Sequence, residues 1–239
     1  MSERFFVNPP IVGDRAVLTG DEARHLVAIM RAQIGDEVIL FDGSGFEFTA
    51  RVAATRKQAV ELTIAERREI SRELPFSLTL AVALPKGERQ KWLVEKATEL
   101  GVTRLVPLIT ERGVAQPVES ALERLRRTVI EASKQCGRNR LLEITPPANA
   151  AAFFATIPPA NGRLIADPAG QPLSAAKANT SDDLCAAIGP EGGFSPAELS
   201  AATTCGWESI SLGSRILRVE TAAVAIAAWA GATGISHGG

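Results

Sequence analysis

The stretch LCAAIGPEGGFSPAEL, residues 184–199, carries the local signals that decide the fold. LCAAI (184–188) is a short unbroken apolar run, as expected of a parallel strand covered on both faces. A glycine-rich loop follows it. Ser195 and Glu198 then have the spacing of a capping box, with Pro196 at the first helical position. We therefore predict a strand, a tight loop and a helix in that order.

The loop at residues 189–193 allows two interpretations. In open α/β sheets ligands bind at the carboxyl ends of strands, and adjacent glycines let the backbone approach a ligand closely. The alternative is only a tight turn between a strand and a helix. The pattern is neither G-x-G-x-x-G nor a Walker loop, because no Lys-Ser/Thr follows the glycines. It therefore argues against dinucleotide binding and ATP hydrolysis.

A second loop, LGSRILRVETAA (212–223), also follows an apolar run and precedes an alanine-rich segment. Two arginines and a glutamate at a strand end, Arg215, Arg218 and Glu220, are typical of a site for an anionic group. The alternative is a surface loop with an Arg–Glu pair. The alanine-rich helix that follows is expected to pack closely in the core or across a dimer interface.

The remaining pattern predicts two domains, residues 1–72 and 73–239. The first reads as a small β-barrel with strands at 37–41, 46–53 and 59–65, a hairpin turn at Asp42–Gly45, and one helix with a stripe of Leu26, Ile29 and Met30. The second alternates strands with helices, which predicts a parallel α/β sheet. Its strands are expected at 76–84, 104–109, 162–166, 184–188 and 209–212, its helices at 87–101 and 119–136, a loop with a short helix at 145–160, and Trp92 in the core.

Composition excludes several classes. With 46% hydrophobic and 22% charged residues the chain is neither disordered nor fibrous. Its longest apolar run, 222–232, is short of the ~20 residues that span a membrane, and the N-terminus has no signal-like apolar segment. The chain has three cysteines, far apart. They predict a reduced, cytoplasmic protein without a zinc site.

Charge is concentrated in the middle of the chain. Residues 86–140 carry 12 Lys or Arg against 7 Asp or Glu, although the whole chain has a net charge of −1. Such a basic segment can contact RNA phosphates, or it can be a pair of solvated helix faces.

These motifs resemble the ribosomal RNA small-subunit methyltransferase E family, which belongs to the SPOUT class of knotted methyltransferases. GPEGGFS (189–195) and LGSRILRVETA (212–222) carry most of the resemblance. Further matches follow in family order along nearly the whole chain: RFFV (4–7), HLVAIMR (25–31), KGER (86–89), EKATELGV (95–102), Pro107 and EASKQCGR (131–138). Departures are Met30 for Leu, Gly113 for Ser and Val219 for Thr, and the last removes a hydroxyl beside Arg218.

The resemblance implies a PUA-like RNA-binding β-barrel domain followed by a SPOUT domain with a C-terminal trefoil knot. It also implies a homodimer that uses S-adenosylmethionine (SAM) to methylate N3 of one uridine in 16S ribosomal RNA, within the assembled small subunit. No metal is implied.

By the same resemblance, three loops would hold the cofactor: Ala166, Asp167, Ile188, Gly189, Gly192, Gly193, Leu212, Gly213, Ile216 and Leu217. Arg218 would stabilise the charge that develops on the base, and Glu220 or Glu191 would accept its proton or orient Arg218. The residues do not separate these two glutamates. RNA contacts would fall to Arg31, His25, Lys86 and Arg138, although a histidine on a helix face is also a common structural hydrogen bonder.

Three other functions stay open at this point. The chain could be a non-catalytic RNA-binding or ribosome-assembly factor, an enzyme that binds a phosphate at Gly189–Gly193, or a related methyltransferase that acts at another RNA position.

Overall fold

A computed structural model describes residues 3–56, 59–114, 118–158, 162–176 and 183–235. The chain forms two compact units. The first contains the residues up to Glu73 together with Ile130–Leu141, and the second contains Leu74–Val129 and the residues from Leu142 onward. The segment Ile130–Leu141 belongs to the first unit although the sequence predicts a single boundary near residue 72, because the second half of a long helix joins the N-terminal unit.

The first unit is built on a five-stranded sheet in the order β1-β3-β4-β5-β2. β1 runs parallel to β3 and the other pairs are antiparallel. Register shifts between β4 and β5 add bulges, which bend a sheet. Among the described pairings none joins β1 to β2, so the curled sheet stays open between its two edge strands and the predicted barrel closure is not seen. The strands are β1 (Arg4–Phe6), β2 (Arg15–Thr19), β3 (Glu37–Phe41), β4 (Phe46–Arg56) and β5 (Ala59–Glu69).

The predicted hairpin between β3 and β4 is confirmed, but the predicted helix stripe is only partly right. Helix α1 (Gly20–Arg24) continues into a π-helical turn at His25–Ile29. Leu26 is buried as predicted, whereas Ile29 is 68% exposed and Met30 43% exposed. The π turn explains the difference, because its wider spacing carries these residues off the face that a regular α-helix would bury.

The second unit contains a seven-stranded sheet in the order β12-β10-β11-β6-β7-β8, with β9 paired to β7. Every pairing is parallel, as the alternating sequence pattern predicts. The strands are β6 (Leu78–Val82), β7 (Arg104–Ile109), β8 (Glu143–Ile144), β9 (Ala148–Asn149), β10 (Gly162–Pro172), β11 (Leu184–Ile188) and β12 (Glu208–Ser211).

Helices flank this sheet: α2 (Glu88–Glu99), α3 (Glu119–Cys136), α4 (Ala150–Thr156), α5 (Pro196–Thr204) and α6 (Val219–Ile235). The aromatic residues Phe153, Phe154 and Trp207 pack with α5 and one face of the strands. The alanine-rich α6 packs against β6, β11 and α2. Its inner face is fully buried, which agrees with the expected close packing. Trp92 on α2 is 43% exposed, so its predicted core position is wrong.

The described residues were searched for membrane-spanning helices and for metal-binding side-chain groups. No helix within the described ranges is both long enough and apolar enough to cross a membrane. No group of three or more histidine, cysteine, aspartate or glutamate side chains in those ranges is placed to hold a metal ion.

Candidate functional site

A pocket opens at the carboxyl ends of three neighbouring strands, β10, β11 and β12. It contains about 840 Å³ of empty space, open solvent at its mouth included. A bulge within β10 and the segments that follow β11 and β12 form its walls, as expected at this edge of a parallel sheet. All the residues predicted to bind a cofactor except Gly192 line it: Ala166, Asp167, Ile188, Gly189, Gly193, Leu212, Gly213, Ile216 and Leu217.

The glycine-rich loop is a tight turn that needs its glycines. The amide of Gly193 donates to the Pro190 carbonyl at 2.8 Å, and Gly193 has a φ of +68°, which favours glycine. A Cβ added at Gly189 would lie 3.0 Å from the backbone nitrogen of Phe194. At Gly189 and Gly193 the loop therefore brings its backbone to the pocket without a side chain.

The predicted capping box holds the end of this loop. The hydroxyl of Ser195 accepts from the Glu198 amide at 3.2 Å, and the Glu198 carboxylate accepts from the Ser195 amide at 2.8 Å. Both side chains are buried. The other Glu198 oxygen accepts from the amide of Glu111, in the loop after β7, at 2.9 Å. One carboxylate thus joins the loops that follow two different strands.

A second contact from the same loop fixes the glycines directly. The guanidinium of Arg112 donates to the carbonyl of Gly192 at 2.9 Å and to that of Phe194 at 3.4 Å. Gly192 therefore lies outside the pocket lining, with its carbonyl turned to Arg112. In the sequence Arg112 is only one of the cations of the basic segment. Its role could not be predicted, because its hydrogen-bond partner, Gly192, lies 80 residues away.

The pocket wall at Asp167 and Pro168 is a bulge within β10. Pairing with β12 reaches Ile210 from Ala166 and again from Gln171, so the residues between them loop out. Gly170 closes the bulge, and a Cβ there would lie 2.6 Å from the backbone nitrogen of Ile210. Only glycine fits this close approach of two strands.

The arginine-bearing loop forms the remaining wall. Ile216 lines the pocket and is nevertheless 92% exposed, which places it at the mouth. Arg215 also lines the pocket. Arg218 does not line it; its side chain is exposed, and its carbonyl accepts from Ala222 at the start of α6.

The two candidate glutamates are linked by an arginine. Arg89, near the start of α2, has one guanidinium nitrogen 3.2 Å from a carboxylate oxygen of Glu191 and another 3.6 Å from Glu220. The Glu191 side chain is 49% exposed and lines the pocket, whereas that of Glu220 is only 8% exposed. One oxygen of Glu220 is buried without a hydrogen bond, although it faces Arg89. The two carboxylates therefore differ in their access to a ligand.

Cys185 is the second residue of β11 and is buried. Burial raises the pKa of its thiol to about 12. The thiol therefore stays protonated near neutral pH and cannot serve as a nucleophile.

The predicted RNA-binding residues lie in different surroundings. Lys86 and Arg31 are exposed, and Arg31 has a φ of +57°, unusual for a residue with a side chain. His25 packs edge-to-face on Phe5 and lies 3.2 Å from the Glu3 carboxylate, which agrees with the structural alternative.

The burial of Arg138 contradicts the prediction that this residue binds RNA. It is 3% exposed, and its guanidinium pairs with the Glu73 carboxylate. A buried, paired arginine is not presented to an RNA phosphate, so Arg138 is a structural residue of the first unit.

Comparison with known proteins defines the class. A family model described as an RNA methyltransferase domain matches residues 72–231, and one described as an RNA methyltransferase PUA domain matches residues 18–65. The parallel sheet with its ligand pocket and the curled N-terminal sheet thus belong to an RNA methyltransferase.

Individual relatives narrow this class. The ribosomal RNA small subunit methyltransferase E of Synechocystis is 34% identical over 93% of this chain and 75% of its own length. The Bacillus subtilis protein of the same name aligns over a shorter part, at 36% identity over 38% of this chain and 35% of its own length. The chain belongs to the ribosomal RNA small subunit methyltransferase E family.

Two solved structures are similar over almost the whole chain. A methyltransferase from Legionella pneumophila in complex with SAM is 31% identical, with a TM-score of 0.89 and coverage of 98% of both chains. A ribosomal RNA small subunit methyltransferase E from Neisseria gonorrhoeae bound to SAM is 30% identical, with a TM-score of 0.88 and coverage of 96% of both chains.

Proposed function

We propose that this protein transfers a methyl group from SAM to N3 of a specific uridine in 16S ribosomal RNA, on the assembled small subunit. The observation that carries the proposal is the convergence of the glycine loop, the β10 bulge and the arginine-bearing loop on one pocket. The family membership and the SAM bound to two similar structures support the same cofactor.

The pocket fits the chemistry of SAM. Its walls combine apolar side chains such as Ile188 and Leu212 with the backbone of Gly189 and Gly193, which carry no side chain. Adenine can be recognised by such backbone donors and acceptors when no side chain intervenes. The carboxylate of Glu191 in the same wall is complementary to a ligand with a positively charged sulfur.

SAM, when bound, would supply a methyl group carried on a sulfonium. The methyl carbon would exchange its bond to sulfur for a bond to the uridine nitrogen, and sulfur would be left as a neutral thioether. The chain's own task is to position the base and to manage one proton and one negative charge. Glu191 is the proposed acceptor of the N3 proton, because its side chain is half-exposed at the pocket wall. Glu220 is buried and instead holds Arg89.

Arg218 is the proposed group for the negative charge that spreads onto the uracil oxygens as N3 loses its proton. Arg218 is the residue directly before α6, and its side chain is exposed. The proposal extends to the finer features that the resemblance implies: residues 1–72 as an RNA-binding domain and 73–239 as the methyltransferase domain, a C-terminal trefoil knot, a homodimer, and a cytoplasmic location.

The test is methyl transfer to small subunits from cells that lack the gene, followed by nucleoside mass spectrometry of the 16S RNA. We expect 3-methyluridine to form with the wild-type chain. Arg218→Ala is expected to bind SAM in calorimetry within twofold of wild type and to lose methyl transfer.

Each rival function predicts a different result. SAM binding without transfer to any RNA would identify a non-catalytic factor. Preference for ATP over SAM would identify a nucleotide-binding enzyme. Another methylated nucleoside would identify a different target position. If Arg218→Ala loses SAM binding and transfer equally, its assignment is wrong.

A further inference from the structure

A second hollow lies beside the pocket and shares a wall with it. It contains about 490 Å³ of empty space, open solvent included, and lies where β6, β7 and β11 end. Pro190 and Glu191 belong to both hollows. The other walls come from the segment after β6, the start of α2 and the loop after β7, and include Pro85, Lys86, Arg89, Gly113 and Val114.

The polar groups of this hollow have a distinctive charge pattern. A carboxylate, Glu191, stands with two cationic side chains, Lys86 and Arg89. The ion pair between Arg89 and Glu191 spans 3.2 Å, with side chains 36% and 49% exposed. Pairs at this exposure are weak, so an incoming ligand can replace each partner.

We propose that this hollow binds the uracil ring of the target nucleotide, an inference that rests on the proposed function. Uracil presents one N–H donor, at N3, between two carbonyl acceptors. A carboxylate accompanied by two cations offers the complementary set of one acceptor and two donors. The shared wall at Glu191 places the N3 side of the ring toward the pocket proposed for the methyl donor.

The same pattern disfavours the other pyrimidine. Cytosine has an unprotonated acceptor at N3, which would face the carboxylate of Glu191 without a proton between them. Two acceptors that face each other without a shared proton repel, which disfavours cytosine at this position. Glu191 thus acts as a specificity determinant as well as the proposed proton acceptor.

The test uses the full chain saturated with S-adenosylhomocysteine and titrated with nucleoside monophosphates, with binding followed by ligand-observed NMR. Uridine 5′-monophosphate is expected to bind at least tenfold more tightly than cytidine 5′-monophosphate or 3-methyluridine 5′-monophosphate. Glu191→Gln provides an amide that can donate to cytosine N3, so it is expected to reduce the uridine preference at least tenfold.

Val114→Trp is the variant that fills the hollow. Val114 is 70% exposed, so a larger side chain can be accommodated without disturbing the core. It is expected to weaken uridine 5′-monophosphate binding at least tenfold and to leave SAM affinity within twofold. Val118→Trp is the matched control, since Val118 is 62% exposed and outside the hollow. Val114→Phe serves as the second filling variant.

The outcomes separate this inference from the proposed function. If the wild-type chain binds SAM and methylates 16S RNA, but both Val114 variants bind uridine 5′-monophosphate like wild type, the uracil site is wrong and the proposed function stands. Equal binding of the three nucleotides by the wild-type chain likewise overturns the site. If the wild-type chain binds no SAM, the proposed function itself fails.

Discussion

Removing the Glu198 carboxylate should destabilise the second unit far more than removing an ordinary surface glutamate. Glu198 is 8% exposed and accepts from two backbone amides, of Ser195 at 2.8 Å and of Glu111 at 2.9 Å. A hydrogen bond to a charged group contributes about 1.5–3 kcal/mol. Glu198→Ala, which loses both bonds, is therefore expected to cost about 3–6 kcal/mol.

A graded series makes this prediction specific. Glu198→Gln keeps one acceptor oxygen, so it should lose one of the two bonds and cost about 1.5–3 kcal/mol. Ser195→Ala removes only the helix cap, at about 1 kcal/mol. Glu143→Gln is the control, because Glu143 pairs with Arg104 at the surface, with side chains 58% and 52% exposed, and such pairs contribute at most about 1 kcal/mol.

Thermal unfolding followed by circular dichroism measures the series. For a chain of this size 1 kcal/mol corresponds to about 2–4 °C in Tm, so Glu198→Ala should melt roughly 10 °C lower than wild type. Glu143→Gln should stay within about 3 °C. If Glu198→Gln melts at the wild-type temperature, the carboxylate does not join the two loops and the argument fails.

The remaining predictions concern packing and ionisation. Gly170→Ala should destabilise by about 3 kcal/mol, because its Cβ would lie 2.6 Å from backbone atoms of β12. Gly231 lies in α6, and a Cβ there would be 3.8 Å from the Leu74 side chain, so Gly231→Ala should be neutral or stabilise by up to about 1 kcal/mol in urea unfolding. With Ellman's reagent at pH 8, the partly exposed Cys136 and Cys205 should react, and Cys185 should react only after unfolding; a native count of three would contradict this. Burial raises the Cys185 pKa from 9.0 to about 12, so its contribution to stability is present below pH 9 and is lost as pH rises toward 12. Cys185→Ala should therefore show a shallower loss of Tm over that range.

Local sequence signals account for most of the second unit. Strands at 104–109 and 184–188 and the helix at 119–136 begin and end where they are predicted, because apolar runs, caps and glycines fix them within a few residues. The capping box at Ser195 is confirmed for the same reason. Trp92 and Ile29 were predicted to be buried but are exposed. Their burial depends on which side of the helix packs against another element, and the local sequence does not determine that side.

Long-range partners set the limit of prediction for the candidate site. Glu111 and Glu198 are 87 residues apart, and Arg138 and Glu73 are 65 apart. The charge of Arg138 gives no indication of whether its partner is an RNA phosphate or a carboxylate of the same chain. A count of lysines and arginines does not distinguish an exposed arginine from a buried one. Only the folded chain shows that the guanidinium of Arg138 is buried and paired with a carboxylate.

The two candidate glutamates show how tertiary burial assigns different roles to identical side chains. Glu191 and Glu220 both follow strand ends, and both pair with Arg89. A buried carboxylate that faces a cation stabilises that cation in place, whereas a half-exposed one can exchange its partner for a ligand. Arg89 is therefore held from the interior by Glu220 and meets the ligand side through Glu191. The different roles of Glu191 and Glu220 therefore follow from their different burial, since the two side chains are chemically identical.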